Sequence, residues 1–302
     1  MVQLANQVVV ITGSSRWFGK AMAIEFQRAG ACVVVSSRDA DAVKATVSAL
    51  PQPANALGAA CDVRDLNQVG ALADVAVARF GQIDIWINNA GISPGWGKTT
   101  DIDPARWRES FETNFLRAYH GCRVALEKML PRKTGQIINV LGAGAEKRAP
   151  NQSAYGTSKT AIARLTETLA KEYADSGVSI TSIMPGMIWT EMLTGAEGVD
   201  EPRMRARFEW AMRVFGNPPE VPARFVVALA QRGGESGRMY KVLSPRMFVP
   251  RMIGEVLGAG RRNPRPWEKQ RFATETHRIT QKENFRVFCV IPWLNPSVMF
   301  PP

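Results

Sequence analysis

Val8-Val9-Val10-Ile11-Thr12-Gly13-Ser14-Ser15-Arg16-Trp17-Phe18-Gly19-Lys20 is the stretch from which the rest of the chain can be read. Four β-branched residues in a row suit a strand covered on both faces, and an amphipathic run to about residue 29 follows. The turn between them feeds a helix whose first amides can hold a pyrophosphate. Glycine there lets backbone approach phosphate closely and lets helix pack on strand. Gly13, Ser15, Arg16, Phe18 and Gly19 are therefore candidate cofactor contacts. An ordinary strand–helix turn would look the same, so the remaining sequence has to decide.

Working outward, short β-branched runs alternate with longer amphipathic ones. Val8–Ile11, Cys32–Val35, Ala59–Cys61, Ile83–Ile87, Gln136–Val140 and Ser179–Ile183 read as strands, and Arg238–Leu243 as a last one. Segments near 17–29, 40–50, 65–80, 104–130, 153–175 and 219–231 read as helices. Apolar strands alternating with helices imply a parallel sheet covered on both faces, and right-handed crossovers make it a doubly wound α/β sheet of the Rossmann type. Residues 186–218 have weaker periodicity and suit a lid. The division expected is a cofactor-binding and catalytic domain over 1–245 and a basic C-terminal extension over 246–302.

Composition narrows the classes. The chain has 302 residues and a net charge of +11, and residues 241–302 carry 11 Lys/Arg against 4 Asp/Glu, so the basic character belongs mainly to the tail. No nucleic-acid motif accompanies it. The four cysteines are widely spaced and histidines occur only at 120 and 277, so neither a metal site nor a disulfide framework is expected. Met1 to Gln7 lacks the features of a signal peptide, and the apolar runs are too short for a bilayer. The location expected is cytoplasmic, with peripheral membrane contact as an option. The amphipathic stretch 246–262 has three readings: packing on the domain, a subunit interface, or an anionic membrane surface.

The ends of the other strands hold chemistry. Ser36-Ser37-Arg38 closes the second strand where an acidic residue would accept from a ribose 2′-hydroxyl. Ser37 and Arg38, helped by Arg16, suit a 2′-phosphate and hence NADPH/NADP. Asp62 follows the third strand, where it can meet an adenine amino group. Asn88-Asn89-Ala90-Gly91 follows the fourth, and Asn89, Ala90 and Gly91 suit a site beside the cofactor. Pro185-Gly186-Met187-Ile188-Trp189-Thr190 follows the sixth. There Pro185, Gly186 and Ile188 flank the cofactor, and Thr190 can bond its carboxamide. Asn114 lies mid-helix in an apolar segment. Tyr155-Gly156-Thr157-Ser158-Lys159 places a phenol and an ammonium one turn apart on one helix face. A nearby cation favours phenolate over a phenol of pKa ~10, which suits proton exchange with a carbonyl/alcohol pair.

Together, Thr12-Gly13, Asn88-Asn89-Ala90-Gly91, Tyr155-x-x-x-Lys159 and Pro185-Gly186-x-Ile188-x-Thr190 resemble the short-chain dehydrogenase/reductase family over about residues 5–243. The resemblance implies hydride transfer with a nicotinamide cofactor. It implies that Tyr155 is the general acid, that Lys159 binds the ribose and tunes Tyr155, and that Asn114 supports a proton relay. It also implies a homo-oligomer joined through helices 104–130 and 153–175. Two positions depart from the family pattern. Trp17 stands where a glycine is expected, and Gly142 stands where the catalytic serine is expected, 13 residues before Tyr155.

Gly142-Ala143-Gly144, with Tyr240-Lys241-Val242-Leu243-Ser244-Pro245-Arg246, resembles the chlorophyll(ide) b reductase subfamily. That implies reduction of a formyl group on a tetrapyrrole. Gly142 and Ala143 then become substrate contacts, with the glycines at 142 and 144 opening room for a flat, bulky molecule. Two alternatives stay open: a generic aldehyde or ketone reductase of the same family, and a non-catalytic NADP(H)-binding sensor or scaffold.

Overall fold

The computed structural model describes residues 4–93, 95–189, 202–243 and 245–256. Seven parallel strands form the central sheet. They are β1 (Val8–Thr12), β2 (Cys32–Ser37), β3 (Ala56–Ala60), β4 (Ile85–Asn88), β5 (Gly135–Val140), β6 (Val178–Met184) and, after two short strands described below, β9 (Met239–Lys241), in the spatial order β3-β2-β1-β4-β5-β6-β9. β1 lies between β2 and β4, with Val10 level with Val34 on one side and Trp86 on the other. The order reverses beside β1, and the crevice at the strands' carboxyl ends is where such sheets place ligands.

Helices cover both faces. Val9 and Ile11 point to the side held by α1 (Trp17–Arg28), α2 (Ala40–Ser48) and α7 (Glu220–Arg232). Val8 and Val10 point to the side held by α3 (Leu66–Phe80), α4 (Pro104–Met129) and α5 (Ser153–Glu172). Asp39, Asp65 and Asp103 cap α2, α3 and α4 by accepting from first-turn amides. The doubly wound parallel architecture expected from the sequence is the one observed.

The edges differ in detail. β3 covers Ala56–Ala60 rather than 59–61. Its residues, Ala-Leu-Gly-Ala-Ala, include no β-branched side chain to signal it. Gly58 earns its place there, because a Cβ would come within 2.6 Å of Val43 on α2. The described part of 186–218 is more ordered than the lid reading suggests. A two-stranded sheet pairs β7 (Met187–Ile188) with β8 (Gly216–Asn217), and α6 (Pro202–Phe215) lies between them in sequence. Met187, Trp189, Trp210, Ala211, Met212 and Phe215 form a separate small core that holds this layer.

α8 (Pro245–Val256) packs on that layer. Phe248 meets Phe215 at 5.3 Å between ring centroids, and Arg251 donates to the Gly216 carbonyl at 2.9 Å and to Asn217 Oδ1 at 3.2 Å. For residues 245–256, packing on the domain is thus what is seen. Residues 257–302, including the rest of the expected 246–262 segment, lie outside the described residues. No described helix is long and apolar enough to cross a membrane.

α4 approaches β4 through Gly121. A Cβ there would overlap Asn88 Oδ1 and sit 2.6 Å from Trp86 Nε1. Gly121→Ala should cost about 1–3 kcal/mol by overpacking. Gly70, in α3, has nothing within 4 Å of a built Cβ, and Gly70→Ala should stabilise by about 0.5–1 kcal/mol through helix propensity. Urea unfolding midpoints of the two variants should therefore move in opposite directions from the parent.

Candidate active site

The carboxyl ends of β1 and β4 are sewn into one floor. Thr12 Oγ1 donates to the Ile87 carbonyl and accepts from the amides of Asn89 (3.0 Å) and Ala90 (3.3 Å). Asn89 Nδ2 returns bonds to the carbonyls of Thr12 and Gly13 at 3.0 and 3.1 Å. Asn89 thus shapes the turn as well as lining the cleft. The turn is also tied to β2: Ser14 Oγ donates to the Ile11 carbonyl at 2.6 Å and accepts from the Ser36 amide at 3.0 Å. Thr46 on α2 holds the Ser15 carbonyl at 2.9 Å. Thr12, Ser14 and Thr46 are absent from the sequence-based list. A hydroxyl closing a buried strand was the available signal for Thr12.

Gly13 has φ +65°, and a Cβ on it would lie 2.7 Å from Ala90 Cα; a Cβ on Gly19 would overlap the Gly13 carbonyl. These two positions therefore leave room only for glycine. Gly13, Ser15, Arg16, Trp17, Phe18 and Gly19 all line the cleft. Trp17 has φ +49°, so the backbone keeps the left-handed form that glycine favours although an indole occupies the position. Its ring carries the Arg16 guanidinium 4.1 Å from its centroid.

Ser37 and Arg38 stand at the end of β2 on the cleft wall, with Asp62 and Arg64 beyond β3. Ser37 Oγ donates to the Asp39 carbonyl. Arg64 grips Asp62 through three bonds of 2.6–3.1 Å and reaches Glu109 at 3.6 Å. That guanidinium, with the Arg64 amide and the nearby Arg38 charge, holds the Asp62 carboxyl below its ordinary range. Arg64 is a cleft residue that sequence reasoning missed. Burial and the carboxylates of Asp62 and Asp65 push the neighbouring Cys61 thiol up to about 12, so it stays protonated.

Tyr155, Lys159 and Asn114 come together at the inner end, all nearly or fully buried. Lys159 Nζ lies 5.2 Å from the Tyr155 ring centroid and donates to the Val140 carbonyl at 3.2 Å. Asn114 accepts from the Ile92 amide at 2.9 Å and donates to the Ile92 carbonyl at 2.7 Å and to Ser158 Oγ at 3.2 Å. Its side chain is a clamp joining α4, α5 and the loop after β4. One turn further along α4, the buried Arg117 donates to the carbonyls of Asn88 (2.6 Å) and Val140 (3.2 Å). The sequence did not mark Arg117, because nothing in its local pattern separates a buried arginine from an exposed one.

The glycines of 142–144 have a different use from the one expected. A Cβ on Gly142 would overlap the Tyr155 hydroxyl, and one on Gly144 would overlap Gly156 Cα. The space is taken by the phenol and by the first turn of α5, so it is not room left for a substrate. Val140 and Leu141 line the cleft from this strand end. Pro185 and Ile188 line its far wall, with Gly186 turning the chain between them at φ +79°. Thr190 lies outside the described residues.

Comparison with known proteins agrees with this geometry. Residues 7–198 match the family described as short chain dehydrogenase. The chain is 37% identical over 228 residues to the 3beta-hydroxysteroid dehydrogenase 1 of Eggerthella lenta, covering 73% of this chain and 85% of that one. It is 29% identical over 273 residues to a protein of Arabidopsis thaliana named as a probable chlorophyll(ide) b reductase, covering 84% of this chain and 54% of the plant protein. The crystal structure of an actinorhodin polyketide ketoreductase variant with NADPH superposes with a TM-score of 0.73 at 26% identity, covering 81% of this chain and 98% of that one. Fold, strand-end motifs and relatives agree, and this chain belongs to the short-chain dehydrogenase family, whose members are oxidoreductases of carbonyl and hydroxyl groups.

Proposed function

We propose that the protein is an NADPH-dependent reductase that converts a carbonyl group, first among them the formyl group of a chlorophyll b-type tetrapyrrole, to an alcohol. The observation that carries carbonyl reduction is the Tyr155 hydroxyl held against Gly142 with the Lys159 ammonium beside its ring. The tetrapyrrole rests on the likeness to the plant protein and on the Gly142-Ala143-Gly144 and 240–246 segments. The likeness to a hydroxysteroid dehydrogenase favours a second reading, a ketone on a fused-ring skeleton.

The residues present fit a dinucleotide. Gly13 and Gly19 let the turn at the α1 N-terminus close tightly on Ala90 and on its own backbone, and the first-turn amides there favour phosphate. Arg38, Arg16 on its indole platform, and Ser37 supply cations and a hydroxyl at the ribose end with no acidic residue at the end of β2, which favours a 2′-phosphate. Asp62, Ala90, Gly91, Pro185 and Ile188 complete the cradle. A bound nicotinamide cofactor supplies the hydride.

The chain supplies the proton. Tyr155 Oη donates it to the carbonyl oxygen as charge develops there, and Lys159 stabilises the phenolate that remains. Asn114 fixes the loop after β4 against α5, so the phenol keeps its place. With no hydroxyl at 142, after the end of β5, the polarising group is Tyr155 on α5. We further infer a homo-oligomer through α4 and α5, and peripheral contact through Val249 and Ile253, which are exposed one turn apart on α8.

NADPH oxidation with chlorophyllide b and with a 3-oxosteroid, each against a small aldehyde, tests the reading; no turnover on any of them would favour a binding protein. Tyr155→Phe should remove more than about 99% of turnover, consistent with loss of a general acid, while calorimetric NADPH affinity stays nearly unchanged. Arg38→Asp should weaken NADPH relative to NADH by at least tenfold, about 1.4 kcal/mol. Equal affinities for the two cofactors in the parent would sink the NADP assignment. Gly142→Ser should lower kcat at least tenfold on every carbonyl compound, because its Cβ displaces the phenol and misplaced reacting groups cost up to about 100-fold. A rise in kcat would show that the phenol can yield.

A further inference from the structure

Four buried polar side-chain atoms in the segments after β4 and before α5 have no hydrogen-bond partner among the described residues: both amide atoms of Gln152, Ser93 Oγ and Trp96 Nε1. Gln152 is 2% exposed and Ser93 4%. Buried amides and hydroxyls are nearly always satisfied, so a group of them that is not calls for a partner from outside the described residues.

These residues belong to two segments that meet at the start of α5, the helix that carries Tyr155. Gln152 is the residue before α5, three positions ahead of Tyr155. Its carbonyl starts the helix by accepting from the Gly156 amide at 2.8 Å, yet its side chain caps nothing. Ser93 follows Ile92, which lines the cleft and is clamped by Asn114. The loop carrying Ser93 and Trp96 is pinned to the start of α5. Gly97 donates to the Asn151 carbonyl at 3.0 Å, and Thr99 and Trp107 both reach Ser153 Oγ, at 3.1 and 2.9 Å. Two segments joined at the start of the helix that carries Tyr155 thus hold unsatisfied polar atoms.

We propose that Gln152, with Ser93, forms a specificity site for a second, neutral oxygen on the substrate, a keto, hydroxyl or ester oxygen placed away from the carbonyl that is reduced. The amide and the hydroxyl each offer a donor and an acceptor, and the indole adds a donor. None of the three carries charge, so a carboxylate or phosphate is not matched. The site deepens the carbonyl-reductase reading and rests on it for its substrate. A pocket built to hydrogen-bond an oxygen rejects analogues without it far more strongly than a pocket that merely fills space.

The test compares the parent with Gln152→Leu and Gln152→Met, using cyclohexanone and 1,4-cyclohexanedione as a matched pair. Removing a buried amide that the chain does not satisfy should raise the midpoint of thermal unfolding by about 2 °C or more. A fall would show that the amide is satisfied within the fold and would overturn the proposal. With NADPH bound, the parent should bind and reduce the dione at least about tenfold better than the monoketone, and both variants should lose that preference while the monoketone changes less than about threefold. Equal loss on both probes, a preference that survives in the variants, or no preference in the parent would each overturn it. Binding is read by ligand-observed NMR without turnover. A binding preference with no turnover therefore sinks the reductase reading and leaves this site standing.

Discussion

Two buried cations converge on one backbone oxygen. Arg117 and Lys159, from adjacent helices, both donate to the carbonyl of Val140 at the end of β5, each at 3.2 Å. Arg117 also takes the carbonyl of Asn88 at the end of β4. Placing a guanidinium where only 1% of it meets water costs free energy, which hydrogen bonds to carbonyls must offset. The return is geometric: the ends of the two central strands and the helices carrying Asn114 and Tyr155 are held in one relative position. The amide ladder from Trp86 through Asn88 and Asn139 to Thr166 continues the same lock into the layer below.

The strands of the sheet interior were legible because each carries a run or alternation of β-branched residues, most fully in Val8-Val9-Val10-Ile11. β3 was misplaced by about three residues because Ala56–Ala60 has no such residue and is recognised only by its partners. The two-stranded layer of β7 and β8 was invisible, since two residues per strand leave no period to detect. Among the described site residues, most of those in strand-end motifs, such as Gly13, Arg38, Asn89 and Pro185, line the cleft. Arg64 and Arg117 did not show, because what makes them cleft and core residues is tertiary: Arg64 reaches Glu109 on α4 from the turn after β3, and Arg117 takes the carbonyls of Asn88 and Val140.

Glycine shows the same divide between composition and contact. Gly142 suggested open space, yet the space belongs to Tyr155; Gly144 suggested the same, yet it is the surface on which Gly156 lands. A missing side chain says only that something is close. At Trp17 the reverse holds: the residue changed from the family pattern, while the backbone kept the left-handed conformation at φ +49°. The turn geometry is therefore imposed by Gly13, Gly19 and the bonds of Thr12 and Ser14, and the local residue bears the strain.

The central position of β1 has a consequence for biosynthesis. β1 pairs early with β2, whose register partners are 24 residues away, but its other edge waits for β4, whose partners are 76 residues away. On the ribosome, the half made of β1, β2 and β3 emerges first with an apolar strand edge and an uncovered face. It can complete neither until α3 and β4 have been synthesised. Unpaired strand edges and exposed apolar surface make such intermediates prone to associate with one another. The interval of translation between β3 and β4 is thus a stage at which the nascent chain exposes both an apolar strand edge and an uncovered sheet face.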